Sequence, residues 1–170
     1  YGDDGHVSHT VLVRDISERA AFEQQLHYQA THDALTGLPN RDHARNHLRL
    51  LLESNDADPR PISVLFVNLD PFKVVNDSRG HQVGDELLRD VGRRLRSAID
   101  DGALCARCGG DEFIVVHDPS ASSLRLGELA AAIHRTLAQP FTVFDQRVDV
   151  SCSIGIASSH LLVDTDELIS

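Results

Sequence analysis

The sequence predicts an α/β (α+β) fold in which helices flank a central, mostly antiparallel sheet. Ile62 to Leu69 is a nearly continuous apolar run, which is typical of a buried strand. Two later strand-like segments meet at Gly109-Gly110, a pair of residues suited to a tight hairpin. Segments with apolar residues at helical spacing alternate with these strands. The resulting order is close to βααββαβ, and the ferredoxin-like split unit is the nearest motif.

The composition is that of a globular protein rather than of a disordered, membrane or nucleic-acid-binding segment. The chain has 170 residues, 41% of them hydrophobic, which suffices for one domain with a real core. Its net charge of −10 argues against non-specific binding to nucleic acid or anionic membranes. Without a membrane-length apolar run, a signal peptide or a disulfide framework, the sequence predicts a cytoplasmic location. Because it begins with Tyr1, we interpret it as a piece of a longer protein.

Residues 1–31 are predicted to be the end of an upstream domain followed by a linker helix. Tyr1–Arg14 has the pattern of a loop and a strand, and Asp15–Glu18 has the spacing of a capping box. The helix that follows has a narrow apolar stripe at roughly heptad spacing. The stripe comprises Ile16, Arg19/Ala20, Phe22, Leu26 and Ala30. It fits either a surface helix packed on its own domain or a short parallel coiled coil. The short preceding chain favours the coiled coil.

The middle of the chain is predicted to hold three helices around the central strand. A helix begins at Asn40-Arg41, and a polar loop follows at Ser54–Pro61. After the strand, which ends in Asn68-Leu69-Asp70, come a short helix, a turn and a long amphipathic helix. Their predicted ranges are Pro71–Ser78, Arg79–His81 and Gly84–Ile99.

The last third of the chain is predicted to contain two hairpins and two helix starts. Ala103–Cys108 and the run through Val116 form the first hairpin, and Ser122 or Ser123 caps the next helix. The second hairpin and the final helix start are predicted from turn residues between apolar runs. Phe141–Phe144 and Arg147–Ala157 flank the turn Asp145-Gln146, and a further helix starts at Asp164–Glu167.

The first hairpin is the best candidate for chemistry. Asp111 and Glu112 follow the two glycines and lead directly into an apolar run that reads as a core strand. A core strand holds the two acids rigidly, and glycine leaves no side chain to exclude a ligand. Rigid carboxylates beside an open backbone suit a hard cation that carries a phosphate ligand.

The stretch Gly109–Phe113 spells the signature of the GGDEF domains, whose active members are diguanylate cyclases. The resemblance runs from about His32 to the last residue, and three further blocks agree with it in the family's order. They are Asp33–Arg41, Asp70–Asp77 with Gly80-His81 and Gly84-Asp85, and Ser153–Ala157. The resemblance implies a GGDEF domain at 32–170 with the nucleotidyl-cyclase and polymerase-palm architecture. Val11–Glu23 also resembles the last strand and exit helix of PAS sensor domains.

Active members of the family join two GTP molecules into cyclic di-GMP in a homodimer, using Mg²⁺ or Mn²⁺. The resemblance makes Asp111 and the backbone carbonyl of Leu69 metal ligands, and gives Glu112 a role in metal binding and hydroxyl activation. The family's other metal carboxylate falls at Asn68 here, whose amide carries no charge and accepts no proton. Such a loss commonly lowers the rate by about a hundredfold or more. Asp70 is an alternative ligand if the strand continues that far.

The resemblance also implies which residues bind GTP. Phe72 and Lys73 belong to the phosphate-binding loop, in which Pro71 lacks a backbone N–H. Lys73 contacts the phosphates or pairs with a neighbouring acid, and the loop favours the phosphates. Gly109 and Gly110 leave room for the nucleotide.

Asn76 and Asp85 match the family's guanine-reading pair. The Asp85 carboxylate, together with the donor and acceptor of the Asn76 amide, complements guanine, so the pair would reject adenine. Both residues could instead be helix caps, but the surrounding spacing favours recognition. Leu88, one helical turn further on, is expected to line the base pocket.

Two departures from the family pattern affect these expectations. The inhibitory product site R-x-x-D would fall at Asp100–Ala103, which has neither residue, so that inhibition is expected to be absent. The chain also ends at Ser170, before the lysine and arginine with which the family's last helix grips the triphosphate.

Two hypotheses therefore remain. One is a diguanylate cyclase domain weakened by Asn68. The other is a degenerate domain that binds GTP, or nothing, and regulates a neighbour. The segment Gln139–Phe141 resembles GGDEF domains fused to a following EAL phosphodiesterase domain, which supports the second. A weaker third possibility is a dimerising signal relay through the helix of residues 15–31.

Overall fold

A computed structural model of the chain describes residues 17–54 and 60–159, except for the side chains of Glu18 and Ala20. Several sequence predictions fall outside these residues. They are the strand within Tyr1–Arg14, the capping residues Asp15 and Ile16, most of the loop after Ser54, and the helix start at Asp164–Glu167. The chain divides into two compact units, Tyr1–Ala30 and Thr31–Ser170.

Helices and strands alternate along the described residues much as their apolar periodicity predicts. The helices are α1 (Ser17–Thr31), α2 (Arg41–Ser54), α3 (Phe72–Arg79), α4 (His81–Ala98) and α5 (Leu126–Leu137). The strands are β1 (Ser63–Asp70), β2 (Ala103–Gly109), β3 (Glu112–His117), β4 (Phe141–Val143), β5 (Gln146–Val148) and β6 (Ser151–Ser158). None of the described helices is both long enough and apolar enough to cross a bilayer.

The main sheet has four strands in the order β2-β3-β1-β6, and each neighbouring pair is antiparallel. Strands β4 and β5 form a separate two-stranded sheet. This arrangement confirms the predicted α/β class with an antiparallel centre. Strand β1, the apolar run of the sequence, lies between β3 and β6 and is therefore central.

Apolar cores lie on both faces of the main sheet. The larger core takes Leu65, Val67 and Leu69 of β1 and packs them against α3, α4 and α5. The smaller core takes Val64 of β1 and packs it with Leu48 of α2. Alternate residues of β1 thus point to opposite faces, because side chains alternate along a strand. Asn68 and Asp70 share the face of Val64, and Leu69 shares the face of the larger core.

The predicted cap of α5 is wrong. Ser122 and Ser123 do not cap the helix, because it begins only at Leu126. Its first turn is capped by Glu128, whose carboxylate accepts a hydrogen bond from the Arg125 backbone N–H at 2.9 Å. The two serines bind Asp100, and we call this set of contacts the Asp100 latch.

The Asp100 latch joins the turn before β2 to the loop before α5. Ser123 donates to the Asp100 carboxylate through its backbone N–H (2.6 Å) and its hydroxyl (2.7 Å). The Ser122 hydroxyl donates at 2.9 Å. A Cβ added at Gly102 would lie 2.0 Å from the Ser122 backbone nitrogen, so the two loops approach closely at a residue without a side chain. The hydrogen bonds, chiefly those from Ser123, lower the pKa of Asp100 to about 2.

Two further boundaries differ from the prediction. The segment Arg147–Ala157 is divided between β5 and β6, which belong to different sheets. The turn before it lies at Phe144-Asp145, where both residues have positive φ, rather than at Asp145-Gln146. Helix α4 begins at His81 rather than at Gly84, so Gly80 alone separates it from α3. Gly80 makes this sharp junction with φ of +85°, which a residue with a side chain rarely adopts.

Arg107 of β2 connects the loop before α2 to the signature turn. Its guanidinium donates to both carboxylate oxygens of Asp33, at 2.9 and 3.0 Å, and to the carbonyl of Gly110, at 2.7 and 3.1 Å. Its backbone N–H donates to the Pro39 carbonyl at 2.9 Å. Burial raises the pKa of Asp33, but hydrogen bonds from Thr36 and Arg107 outweigh it and leave that pKa below its usual value. We call this set of contacts the Arg107 clamp.

We expect Asp100→Ala to lower the melting temperature by a few degrees, because the serines of the latch lose their acceptor. In the unsubstituted chain this contribution is present above about pH 4 and is lost as the pH falls towards 2, since folding lowers the pKa of Asp100. Thermal unfolding between pH 2 and 7 tests both effects. Asp101→Ala, at the exposed neighbouring residue, is the control. Equal melting temperatures for the two variants would contradict the latch.

We expect Asp33→Asn to lower the free energy of unfolding by about 1–2 kcal/mol, since the largely buried clamp loses its charge-assisted hydrogen bonds. Hydrogen exchange at the Gly110 amide should also accelerate, because Arg107 would hold the turn less firmly. Urea unfolding and exchange by NMR measure the two quantities. Asp42→Asn breaks the exposed Arg45–Asp42 pair and serves as the control. If Asp33→Asn and Asp42→Asn give the same result in both measurements, the Arg107 clamp does not stabilise the signature turn.

Candidate active site

The signature acids lie beside the end of the central strand. Asn68 of β1 pairs directly with Glu112 of β3 in the antiparallel register, so their side chains lie on the same face of the sheet. The backbone N–H of Leu69 donates to the carbonyl of Asp111 at 3.3 Å. Asp111, Glu112, Asn68 and Leu69 therefore meet at one edge of the sheet, as expected if they share a pocket.

Gly109 and Gly110 form the turn that presents the acids. Their φ angles are +133° and +54°, values that favour glycine, and both glycines are exposed. A Cβ added at either position would meet no atom within 4 Å. The backbone of the turn is therefore open to a ligand, and the glycines are required by the conformation of the chain rather than by crowding.

A cavity of about 260 Å³ lies beside Asn68 and Glu112. Arg41, Phe66 and Cys108 also line it. The sequence pattern assigned Arg41 only to the start of a helix, although Arg41 closes the family block Asp33–Arg41. Its position places a cation next to the candidate metal ligands. Burial raises the pKa of the Cys108 thiol, so Cys108 is a neutral part of the wall at pH 7.

Strand β1 continues through Asp70, which pairs with Ser151 of β6. Asp70 therefore shares the face of Asn68, as the alternative metal-ligand prediction required. Its carboxylate, however, accepts a hydrogen bond from the Ser153 hydroxyl at 2.6 Å. Since Ser153 pairs with Asn68 on the opposite side from Glu112, this bond directs Asp70 towards β6.

The donor set at the signature edge suits a cation that also binds phosphate. Within residues 17–54 and 60–159, no three His, Cys, Asp or Glu side chains are grouped as a complete metal site. Magnesium at nucleotide sites needs fewer, because one or two carboxylates suffice when phosphates and water complete the shell. Glu112 and Asn68 line the cavity with a carboxylate and an amide oxygen that fit this requirement, whereas Asp111 and Leu69 are not among its lining residues.

The residues predicted to bind the phosphates and the base of GTP lie on α3 and α4. Phe72 and Leu88 are buried in the larger core, at 8% and 3% exposure. Asn76 is half-buried, whereas Lys73 and Asp85 are exposed. Leu88 is therefore mainly a core residue, and only its neighbours offer polar groups to a ligand.

Asn76 lies against the bare backbone of Gly84. A Cβ added at Gly84 would be 1.9 Å from Asn76 Oδ1 and 3.2 Å from Phe72 Cζ. Asn76 Oδ1 is buried and has no hydrogen-bond partner among the residues that the structure describes. An unpaired buried oxygen is uncommon in proteins and calls for a specific reason.

The two groups of predicted site residues occupy opposite faces of β1. Asn68 and Glu112 lie on the face of the smaller core, together with Ile114. Phe72 and Leu88 belong to the larger core on the other face. A ligand that contacts both groups must therefore pass the end of β1, where Leu69 and Asp70 end the strand.

Known proteins match this chain over most of its length. Residues 30–170 match the family model described as "Diguanylate cyclase, GGDEF domain". The chain is 39% identical over 150 residues to the signaling protein YkoW of Bacillus subtilis, covering 88% of this chain and 19% of that protein. It is 40% identical over 152 residues to the cyclic di-GMP phosphodiesterase PdeR of Escherichia coli, covering 85% of this chain and 22% of PdeR. The chain thus spans about a fifth of these relatives.

Solved structures give the same result. The GGDEF domain of PA1120 (TpbB or YfiN) from Pseudomonas aeruginosa superposes with a TM-score of 0.74 at 35% identity, covering 81% of each chain. A sensory box/GGDEF family protein from Caulobacter crescentus gives a TM-score of 0.69 at 35% identity, covering 76% of this chain and 83% of the other. The fold is therefore the palm-like cyclase fold, and the chain belongs to the GGDEF domain family.

Proposed function

We propose that this domain is a diguanylate cyclase that condenses two GTP molecules into cyclic di-GMP, with activity reduced by Asn68. The direct pairing of Asn68 with Glu112 is the observation that carries the proposal. It puts the signature acids at the end of β1, where family members place their metal carboxylates. Among the relatives, TpbB of Pseudomonas aeruginosa is named a diguanylate cyclase and is 38% identical over 133 residues.

In the proposed reaction, the 3′-hydroxyl of one GTP attacks the α-phosphorus of the other and pyrophosphate leaves. Glu112 activates that hydroxyl, and Lys73 contacts the phosphates from the start of α3. The open backbone of Gly109 and Gly110 lets the nucleotide approach the acids. Asn76 and Asp85 read the guanine: the Asp85 carboxylate accepts from the guanine N–H groups, and the Asn76 amide nitrogen adds a donor.

We assign Asp111, Asn68 and the Leu69 carbonyl as the protein ligands of Mg²⁺ or Mn²⁺. When bound, the cation neutralises triphosphate charge and lowers the pKa of the attacking hydroxyl. A cation is needed because the chain carries a net charge of −10, which repels a free triphosphate. Asn68 supplies an oxygen but no charge, so the metal is held less firmly than by two carboxylates.

The reaction needs a second copy of the domain, because each domain presents one GTP. Helix α1 supports such pairing: Phe22 and Leu26, four residues apart on one side of the helix, are 62% and 49% exposed. We propose that α1 pairs with its counterpart as a short coiled coil below an upstream PAS-type sensor. The cytoplasmic location remains a prediction from sequence.

A second candidate function is that of a degenerate GTP-binding domain that regulates a neighbour, such as an EAL phosphodiesterase domain. Two observations favour it: Asn68 replaces a carboxylate, and the relative PdeR is named a phosphodiesterase. In this candidate, Asn76 and Asp85 still bind GTP, but the domain does not convert GTP into product.

We expect the chain to bind GTP with Mg²⁺ or Mn²⁺ and to form cyclic di-GMP slowly. Asn68→Asp should raise the rate by about a hundredfold, because it restores the charge at the metal. Chromatography of the products and calorimetric titration with GTP measure the two properties. Glu112→Gln, which keeps shape but removes the carboxylate, is the inactive control.

The outcomes separate the two candidates. Product from both the chain and Asn68→Asp supports the cyclase. Product only from Asn68→Asp, or GTP binding without product from either, supports the degenerate regulator. A chain that fails to bind GTP at all would overturn both candidates.

We expect the double substitution Phe22→Ala with Leu26→Ala to lower the dimer fraction and the rate of product formation. GTP affinity per domain should not change, because none of the residues assigned to the nucleotide site belongs to α1. Sedimentation velocity and titration with GTP measure these quantities. Gln25→Ala, at an exposed polar residue of the same helix, is the control. An undiminished dimer in the double variant would rule out pairing through this stripe.

A further inference from the structure

We infer that Gly84 is a positioning residue for guanine recognition, because its missing side chain leaves the space in which the Asn76 amide lies. The inference rests on the proposed function, in which Asn76 reads the base. The packing of α3 on α4 determines where that amide lies.

Packing rather than hydrogen bonding holds the Asn76 side chain. Its Oδ1 is buried, and within the described ranges 17–54 and 60–159 no group donates a hydrogen bond to it. Helices α3 and α4 are joined by Gly80 alone and pack on each other. Where they meet, the Asn76 amide and the Phe72 ring both rest on Gly84. Phe72 and Asn76 are four residues apart and share one face of α3.

A side chain at position 84 would displace the amide rather than the backbone. An added Cβ would lie 1.9 Å from Asn76 Oδ1, the far end of a flexible side chain, while its nearest contact with Phe72 would be 3.2 Å. Alanine also suits a helix interior better than glycine, by about 1 kcal/mol. Gly84→Ala should therefore fold while moving the amide out of its place.

Gly84 directly precedes Asp85, the other proposed guanine-reading residue. Gly84 is buried against α3, whereas the Asp85 side chain is exposed. The close approach of α3 and α4 at Gly84 therefore sets the distance between the two groups that read the base. A bulkier residue would change this distance for Asn76 while leaving Asp85 on its own helix.

The test is a double-mutant cycle of Gly84→Ala and Asn76→Ala, read as affinity for GTP and for ATP in the presence of Mg²⁺. Each single variant should bind GTP about tenfold more weakly, because one hydrogen bond to the base is lost. The double variant should bind no more weakly than Asn76→Ala alone. Preference for GTP over ATP should fall with GTP affinity, whereas general damage to the fold would weaken both nucleotides equally.

The matched control is Gly127→Ala, a helical glycine at which an added Cβ meets no atom within 4 Å. It should bind GTP as the unsubstituted chain does. The side-chain amide signals of Asn76 in a ¹⁵N–¹H spectrum give a readout that needs no nucleotide. They should shift in Gly84→Ala and stay in place in Gly127→Ala.

Failure of this inference and failure of the proposed function give different results. If Asn76→Ala loses GTP affinity while Gly84→Ala keeps it, or if the two losses add fully, the role of Gly84 is refuted and the proposed function stands. If the unsubstituted chain binds no GTP, or Asn76→Ala binds it normally, the guanine-reading assignment is refuted and the inference falls with it.

Discussion

The pairing of β1 with β3 is the constraint on which the rest of the site depends. Asn68 and Glu112 are neighbours because their strands are antiparallel and in one particular register. A slip of one residue would send one of the two side chains to the opposite face of the sheet. The register is fixed by the apolar residues of both strands, which alternate between two cores. The hydrophobic core therefore determines the geometry of the polar site.

Local signals allowed much of this arrangement to be predicted from sequence. Three of these signals act over only a few residues, so each can be recognised in a short window of sequence. They are the apolar run of β1, the glycine pair of the signature turn, and the periodicity of α2 and α4. The family blocks then indicated that Asp111 and Glu112 belong beside the end of β1. Register and pairing in the structure agree with that expectation.

What sequence could not supply depends on partners far apart in the chain. Arg107 and Asp33 are 74 residues apart, and no local pattern connects them. In the local sequence, Ser122 and Ser123 resemble helix caps. In the structure they donate instead to Asp100, which lies 22 and 23 residues earlier in the chain. Helix α5 then begins later and uses Glu128. Likewise, the break between β5 and β6 reflects membership of two sheets, which a continuous apolar run conceals.

The division of the site between the two faces of β1 has a consequence for how such domains diverge. The residues predicted to recognise the base lie on α3 and α4, which pack on one face of β1, whereas Asn68 and Glu112 lie on the other face. A substitution such as Asn68 in the second group leaves the first intact. A related domain can thus change the polar residues at the end of β1 while keeping the helical surface of α3 and α4, because the two groups are carried by different elements.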